Sequence, residues 1–497
     1  MSIGKKAGKG FIRLFQRNML EKLMGLTTII ILARKLTPYD FGLVSITEVL
    51  LYTISVFGTT GLSEFLLAYK KDDVEEIFKA AFWFNLALSV IILAIFLGAA
   101  PFWANYQDDP RILNISLIAG GIFLFSQIGI IPRVRLNKDL RFDKQVRIQA
   151  PFTVLIPLAK VAAVFAGWGV YSLILPTLIL TPIQSFFFYY ATKLRPGWNM
   201  HFGRWREIYG FTKHLIGSGL LRRLADNGDK FIISKLLGLE MLGLYNIAMR
   251  MAELFTTQLT MMSNNVLAAV LPKYTDDKKM FYKYYMNSLK AFAFVMLPFL
   301  AVMMVAAKPI ILLFYGEQWI DAVLPMQILI VYTALRSVTS SFSVVMNSFH
   351  LNKLSFKVNL FFTPTHLIAS AIGAYMWGIP GVALALVLVR AGFYNWRINL
   401  MMKAVEEPVI RWYKDLMPYF LITLIVVGVS WFGSYYMFSS FPNLMPLISI
   451  AIIGIGIVVI YNLLVKIFYP QELKTISGFL GGAFPKMQPH FNRLYGL

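Results

Sequence analysis

The sequence predicts an all-α polytopic membrane protein of about 14 transmembrane helices, two pseudo-repeated six-helix bundles followed by two C-terminal helices. Three observations carry that reading. The 497 residues are 58% hydrophobic and only 14% charged, with a mean hydropathy of +0.64; a soluble chain this long needs far more polar surface. Apolar stretches of about 20 residues, enough to cross a bilayer, recur along the chain. Lysine and arginine crowd every second connection between them.

Taken in order, the expected spans are Phe15–Leu36, Phe41–Ala68, Ala80–Trp103, Ile112–Pro132, Ala150–Gly167 and Tyr171–Thr192. A basic break follows. Then come Phe211–Gly238, Leu242–Leu271, Tyr284–Ala307, Ala322–Phe349, Phe356–Trp377 and Pro380–Met402, and finally Leu416–Phe438 and Leu444–Phe468. The weakest divisions are the short connections Gly167–Tyr171 and Trp377–Pro380. The basic connections are the N-terminus (Lys5, Lys6, Lys9, Arg13, Arg17, Lys22), the fourth-to-fifth (Arg133, Arg135, Lys138, Arg141, Lys144, Arg147) and the sixth-to-seventh (Lys193, Arg195, Arg204, Arg206, Lys213). The alternate ones, such as WANYQDDPR and SSFPNL, are short and poor in positive charge. This alternation places both termini in the cytoplasm, and it assigns the net charge of +22 to topology and the anionic inner leaflet rather than to nucleic acid. No cleavable signal peptide is read at the start.

An internal repeat sets the domain plan. ARKLTPYDFGLVSI (Ala33–Ile46) aligns with SKLLGLEMLGLYNI (Ser234–Ile247) at an offset of 201. LNKDLRF (Leu136–Phe142) aligns with LNKLSF (Leu351–Phe356), and GWGVYSL (Gly167–Leu173) with MWGIPGV (Met376–Val382), in the same order. The expected parts are a first bundle at 1–192, a basic cytoplasmic linker at 193–210, a second bundle at 211–403, helices thirteen and fourteen at 404–469, and an interfacial tail at 470–497. Six spans is an even number, so the copies are parallel, related by an axis along the membrane normal. Transporters of that build bind near the midplane between the halves.

Charge inside the spans marks the candidate site. HLIGSGLLRRLADNGDK (His214–Lys230) carries Arg222, Arg223, Asp226, Asp229 and Lys230, and positions 222, 226, 229 and 230 share one helical face. Charges in hydrocarbon face a bundle interior or a wet cavity. The intramembrane cations read this way are Lys160, Arg222, Arg223, Lys230, Arg250, Arg336 and Arg390, and the acids Glu48, Glu64, Asp226, Asp229 and Glu253. The excess is positive, so the expected ligand is an anion, and the planar arginine fork suits phosphate. Arg336, Ser340, Ser343 and Asn347 form a polar stripe on helix ten, and Glu48, Tyr52, Ser55 and Thr59 another on helix two. The other reading is internal ion pairing, for instance Arg250 with Glu253 one turn away.

Other features carry less. GKKAGKG (Gly4–Gly10) lacks P-loop spacing and reads as a basic surface anchor. DDVEE (Asp72–Glu76), flanked by Lys70, Lys71 and Lys79, reads as a solvated loop. LLFYGEQW (Leu312–Trp319) reads as an amphipathic outer segment anchored by Trp319. The five histidines (201, 214, 350, 366, 490) lack metal-ligand spacing, and zero cysteines exclude thiolate chemistry. No metal or cofactor is expected.

LARKLTPYDFGLVSI (Leu32–Ile46), LNKDLRFDKQV (Leu136–Val146), GWGVYSL and DNGDKFIISKLLGLEMLGLYNIA (Asp226–Ala248) resemble the Wzx-type flippases. These form the WzxC/TuaB-like branch of the polysaccharide transporters, within the multidrug/oligosaccharidyl-lipid/polysaccharide exporter superfamily. The likeness spans nearly the whole chain; lipid II flippases of the MurJ type and MATE drug exporters share the architecture but match the motifs less. The resemblance implies a MATE-like fold and export of undecaprenyl-diphosphate-linked oligosaccharide units from inner to outer leaflet of a bacterial cytoplasmic membrane, by alternating access. Its implied partners are that lipid, membrane lipids and polysaccharide polymerase or export proteins. By position, Arg222, Arg223, Lys230, Arg336, Arg390 and Arg250 would hold the diphosphate or acidic sugar. Asp226, Asp229, Glu48, Glu64 and Glu253 would gate or couple H⁺ or Na⁺. Two alternatives stay open: a MATE-like small-molecule antiporter, and a membrane glycosyltransferase or polymerase on the same lipid carrier.

Overall fold

A computed structural model describes residues 3–59, 61–440 and 445–470; the side chains of residues 3–15, 57–59, 214–218 and 438–439 also lie outside the description. The side chains of GKKAGKG, Thr59 and His214, most of SSFPNL, and the tail with His490 therefore fall outside it. Within the described residues the chain is helical throughout, and the contacts divide it into two compact units, Met1–Gly243 and Leu244–Leu497.

The first unit contains α1 (Ile3–Ala33), α2 (Pro38–Thr59), α3 (Leu62–Ala68), α4 (Val74–Tyr106), α5 (Arg111–Lys138), α6 (Phe142–Phe165), a 3-10 turn at Gly169–Leu173, α7 (Leu175–Thr192) and α8 (Phe202–Leu236). Helix α1 packs on α6, α4 on α5, α5 on α7, and α2 on α8. Helix α9 (Leu239–Glu253) crosses from the first unit into the second. The second unit continues with α10 (Thr256–Val270), α11 (Lys278–Val305), α12 (Ala307–Phe314), a 3-10 turn at Glu317–Ala322, α13 (Val323–Val338), α14 (Phe342–Ser348), α15 (Asn352–Val405), α16 (Val409–Ser440) and α17 (Pro446–Phe468). Here α13 packs on α15, and α11 on α16 and α17.

Ten segments of the described chain are long and apolar enough to cross a membrane. The sequence count of about 14 differs from this for identifiable reasons. Helices α1 and α8 have the length but carry too many polar residues, whereas α9 and α10 hold fifteen residues each and are too short singly. Helix α15 is counted once although its 54 residues hold two expected spans. Its backbone leaves helical geometry at Trp377 and at Gly378, whose φ of 65° and ψ of −144° suit glycine. There the chain doubles back. Cβ atoms built on Gly373 and Gly381 would each overlap the other's carbonyl oxygen, although eight residues along a straight helix separate groups by about 12 Å.

Two glycines that the sequence alignment pairs touch facing backbones in the first unit. A Cβ on Gly42 of α2 would overlap the carbonyl of Leu239 at the start of α9, and one on Gly243 would overlap the carbonyl of Pro38. Gly42 and Gly243 stand 201 residues apart in sequence, as do Pro38 and Leu239. The contact is therefore reciprocal between repeat-equivalent positions. Membrane helices gain no hydrophobic drive from meeting each other in lipid, so small residues that let backbones touch supply close packing instead.

Two sequence expectations are corrected. Trp319 is 0% exposed and packs near Tyr315, with ring centres 6.1 Å apart, so it is a core residue and not an interfacial anchor. The acidic run before and into α4 is not a free solvated loop. Asp73 accepts from the Tyr69 hydroxyl at 2.6 Å and pairs with Arg204, Arg204 donates to Glu76 at 3.0 Å, and Glu75 pairs with Arg135 at 2.7 Å. These acids tie α4 to the basic residues of α5 and α8.

At the opposite end of α4, Asp109 is buried and accepts from the Tyr39 hydroxyl at 2.8 Å and from Arg111 Nη2 at 2.8 Å. Burial alone would raise its carboxyl; the hydrogen bonds from the Arg111 side chain, the Arg111 backbone and Tyr39 outweigh it and hold the group below its ordinary range.

Three outcomes follow. Gly42→Leu and Gly243→Leu are each expected to lower stability by at least about 1–3 kcal/mol through overpacking, read as the thermal midpoint in detergent. Gly98→Ala, where an added Cβ meets nothing within 4 Å, should be neutral or stabilising. Because the folded Asp109 carboxyl titrates below the unfolded one, its stabilisation is present above roughly pH 4 and is lost as pH falls through the depressed folded value. A scan of thermal midpoint against pH should show that acid limb in wild type and a weaker one in Asp109→Asn.

Candidate substrate-binding site

In the first unit the candidate charges sit on α8 and on the face of α2 that meets it. Apolar residues such as Leu220, Leu221 and Leu224 flank Arg222 and Arg223, and both arginines are exposed. The i, i+4 spacing of Arg222 and Asp226 suggests an ion pair, yet none joins them, and Asp226 is exposed as well. Arg223 instead lies over the Tyr52 ring at 5.9 Å, a cation–π placement. Glu48 and Arg223 both lie within electrostatic reach of the Tyr52 hydroxyl. Asp229 is 3% exposed and accepts from the Lys230 backbone N–H at 3.0 Å. Lys230 Nζ donates to Asn227 at 3.1 Å. The structure thus brings together Glu48, Tyr52 and Arg223, while Asp229 and Lys230 bond along their own helix. Glu64 is exposed on α3, and Lys160 is half-buried on α6. Of the α2 stripe, Ser55 is buried and turns its hydroxyl to the Tyr52 carbonyl at 2.7 Å.

In the second unit the pairing differs from the expected one. Glu253 pairs with Arg336 of α13, whose side chain is 39% exposed, and not with Arg250 on its own helix. Arg250 is left exposed. The stripe of Arg336, Ser340, Ser343 and Asn347 is interrupted, because the helix breaks between α13 and α14. Thr339 returns its hydroxyl to the Leu335 carbonyl at 2.9 Å, a bond that competes with the helix ladder. Ser340 bonds Asn264 of α10 at 3.2 Å, and Ser343 and Asn347 are exposed.

Arg390 is not on an open wall. It is 7% exposed, donates to the Tyr332 hydroxyl at 3.3 Å, and stacks over Phe362 at 4.6 Å. Seven residues on, Arg397 is 9% exposed, donates to Asn359 at 3.2 Å and lies over the same ring at 5.1 Å. The sequence reading omits Arg397 although it falls inside the expected span Pro380–Met402. It also omits Lys290, 7% exposed within Tyr284–Ala307, which pairs with Asp415 at 3.1 Å. The i, i+7 spacing of Arg390 and Arg397 on one helical face was the available signal. Among the described residues no group of three or more His, Cys, Asp or Glu could hold a metal ion.

Each unit carries exposed arginines that pair with no carboxylate among the described residues, Arg222 and Arg223 in the first and Arg250 in the second. That chemistry suits an anionic group. A family model described as polysaccharide biosynthesis protein matches residues 31–324. The chain is 25% identical over 381 residues to the lipopolysaccharide biosynthesis protein WzxC of Escherichia coli (strain K12), covering 74% of this chain and 75% of that one. It is 21% identical over 403 residues to the probable flippase AglR of Haloferax volcanii, covering 79% and 83%. Among solved structures it resembles the lipid II flippase MurJ at 16% identity and a TM-score of 0.71, covering 93% of this chain and 99% of that one. At that identity the last likeness shows the fold alone.

Proposed function

The chain belongs to the polysaccharide biosynthesis protein family of Wzx-like flippases, and from that premise we propose that it carries undecaprenyl-diphosphate-linked oligosaccharide from the inner to the outer leaflet of a bacterial cytoplasmic membrane by alternating access. In this reading the chain makes fourteen spans with both termini in the cytoplasm. The two expected spans of α15 come from its reversal at Gly378, and the remaining polar or short ones are α1, α8 and α9 with α10.

The observation that carries the proposal is the pair Arg222 and Arg223, exposed in mid-α8 and joined to no carboxylate among the described residues. In this reading α8 is a span, and arginines held within it without acids are costly unless they serve a polar ligand. They would donate paired hydrogen bonds to phosphate oxygens, with Lys230, Arg250 and Arg336 adding positive charge. Arg336 would exchange its Glu253 partner for the ligand, and Glu253 would then act as a gate. Arg390 is sealed behind Tyr332 and Phe362 and takes a different role. Asp226, Asp229, Glu48 and Glu64 remain the groups through which H⁺ or Na⁺ would couple. Moving one negative charge outward gains roughly 2.3 kcal/mol per 100 mV, so a diphosphate head can be exported on membrane potential.

The test is leaflet translocation of a fluorescent undecaprenyl-diphosphate oligosaccharide in proteoliposomes. Wild type is expected to move it, and Arg222→Ala/Arg336→Ala to move it at least tenfold more slowly. Equal rates would remove the cationic head-group site. Absence of movement by folded wild type would remove the flippase reading and favour the small-molecule antiporter.

A further inference from the structure

From Val323 to Val405 the sequence contains no aspartate or glutamate. The helices of that stretch, α13, α14 and α15, pack on one another, and α11, which packs on α13 and α15, is also free of acids. Two arginines of α15, Arg390 and Arg397, are nevertheless more than nine-tenths buried there. Arg390 bonds Tyr332 at 3.3 Å and Arg397 bonds Asn359 at 3.2 Å, and each keeps a buried Nε–H without a hydrogen-bond partner among the described residues. Asp415 of α16, which packs on α15, is committed to Lys290 and Tyr282, Glu407 to Arg411, and Glu253 to Arg336.

The charge cannot be removed in place. Arginine does not release its proton in proteins, and burying an unpaired charge is among the costliest events in folding. Phe362 faces both guanidinium groups at 4.6 and 5.1 Å, Tyr332 also faces Arg390 at 5.4 Å, and Phe342 faces Arg397 at 5.5 Å. Each ring quadrupole offsets only part of a full positive charge.

We propose that a small monovalent anion of the halide class, chloride in the cell, binds between Arg390 and Arg397 inside the second unit and takes hydrogen bonds from their buried Nε–H groups. The burial of both arginines excludes a diphosphate bearing a lipid and a saccharide. The ion joins the two ends of an acid-free helix region that would otherwise repel itself. The proposal stands independently of what the protein transports.

The test uses the full-length protein in detergent at constant ionic strength, with gluconate exchanged for chloride or bromide. Wild type is expected to show a saturable rise in thermal midpoint with either halide, as ligand binding to the folded state requires. Arg397→Gln and Arg390→Gln should lose that rise. Should either variant fail to fold, wild-type crystals grown in bromide give an independent reading, with an anomalous peak expected between the two arginines. A halide response that survives in both variants, a wild type equally stable in gluconate, stabilisation by sulfate but not chloride, or an anomalous map without that peak would each overturn the assignment.

Discussion

Backbone meets backbone where α2 crosses α9, and much of the first unit follows from that contact. Gly42 and Gly243 leave no room for a side chain between the helices, so the start of α9 is fixed against the start of α2. Only Leu237 and Gly238 separate α8 from α9, and Gly238 has a φ of 90°, a left-handed turn that glycine adopts without strain. With α9 pinned and the turn short, α8 must run back along α2, as it does. That course sets Arg223 over Tyr52 and near Glu48. The placement of Arg223 thus follows from two glycines that stand 201 residues apart.

Charges in this protein fall into three physical situations. Outside the apolar spans they are densely paired, as in the network of Asp73, Glu75 and Glu76 with Arg135 and Arg204. Within the second unit some are paired singly, Lys290 with Asp415 and Arg336 with Glu253. A third set consists of arginines without carboxylate partners among the described residues: Arg222 and Arg223 exposed, Arg390 and Arg397 buried. Exposed and buried members of that set have different consequences. An exposed arginine can meet a large ligand and release it, whereas a buried one demands a permanent counter-charge of small size.

Architecture was the most legible level of the sequence, because hydrophobic length and basic-loop alternation are one-dimensional signals. Even the division at Trp377–Pro380 is realised as a reversal, with non-helical backbone at Trp377 and Gly378. Pairing was less legible. Arg250 and Glu253 stand one turn apart, but Glu253 reaches across to α13, a choice fixed by tertiary packing that no spacing encodes. Trp319 was misread for a similar reason: its amphipathic neighbourhood looks interfacial until α12 and the turn after it fold inward. Arg397 was legible and overlooked, since its distance from Arg390 already placed both on one face.

Movement of the proposed anionic cargo through this cation-bearing protein is tested most directly by imposing a diffusion potential on wild-type proteoliposomes. The rate at which a fluorescent lipid-diphosphate saccharide changes leaflet is recorded with the potential set in each direction. The account requires faster movement when the field drives negative charge with the transfer and slower movement when the field is reversed. A rate indifferent to the sign of the potential, or equal for a neutral lipid saccharide, would contradict it.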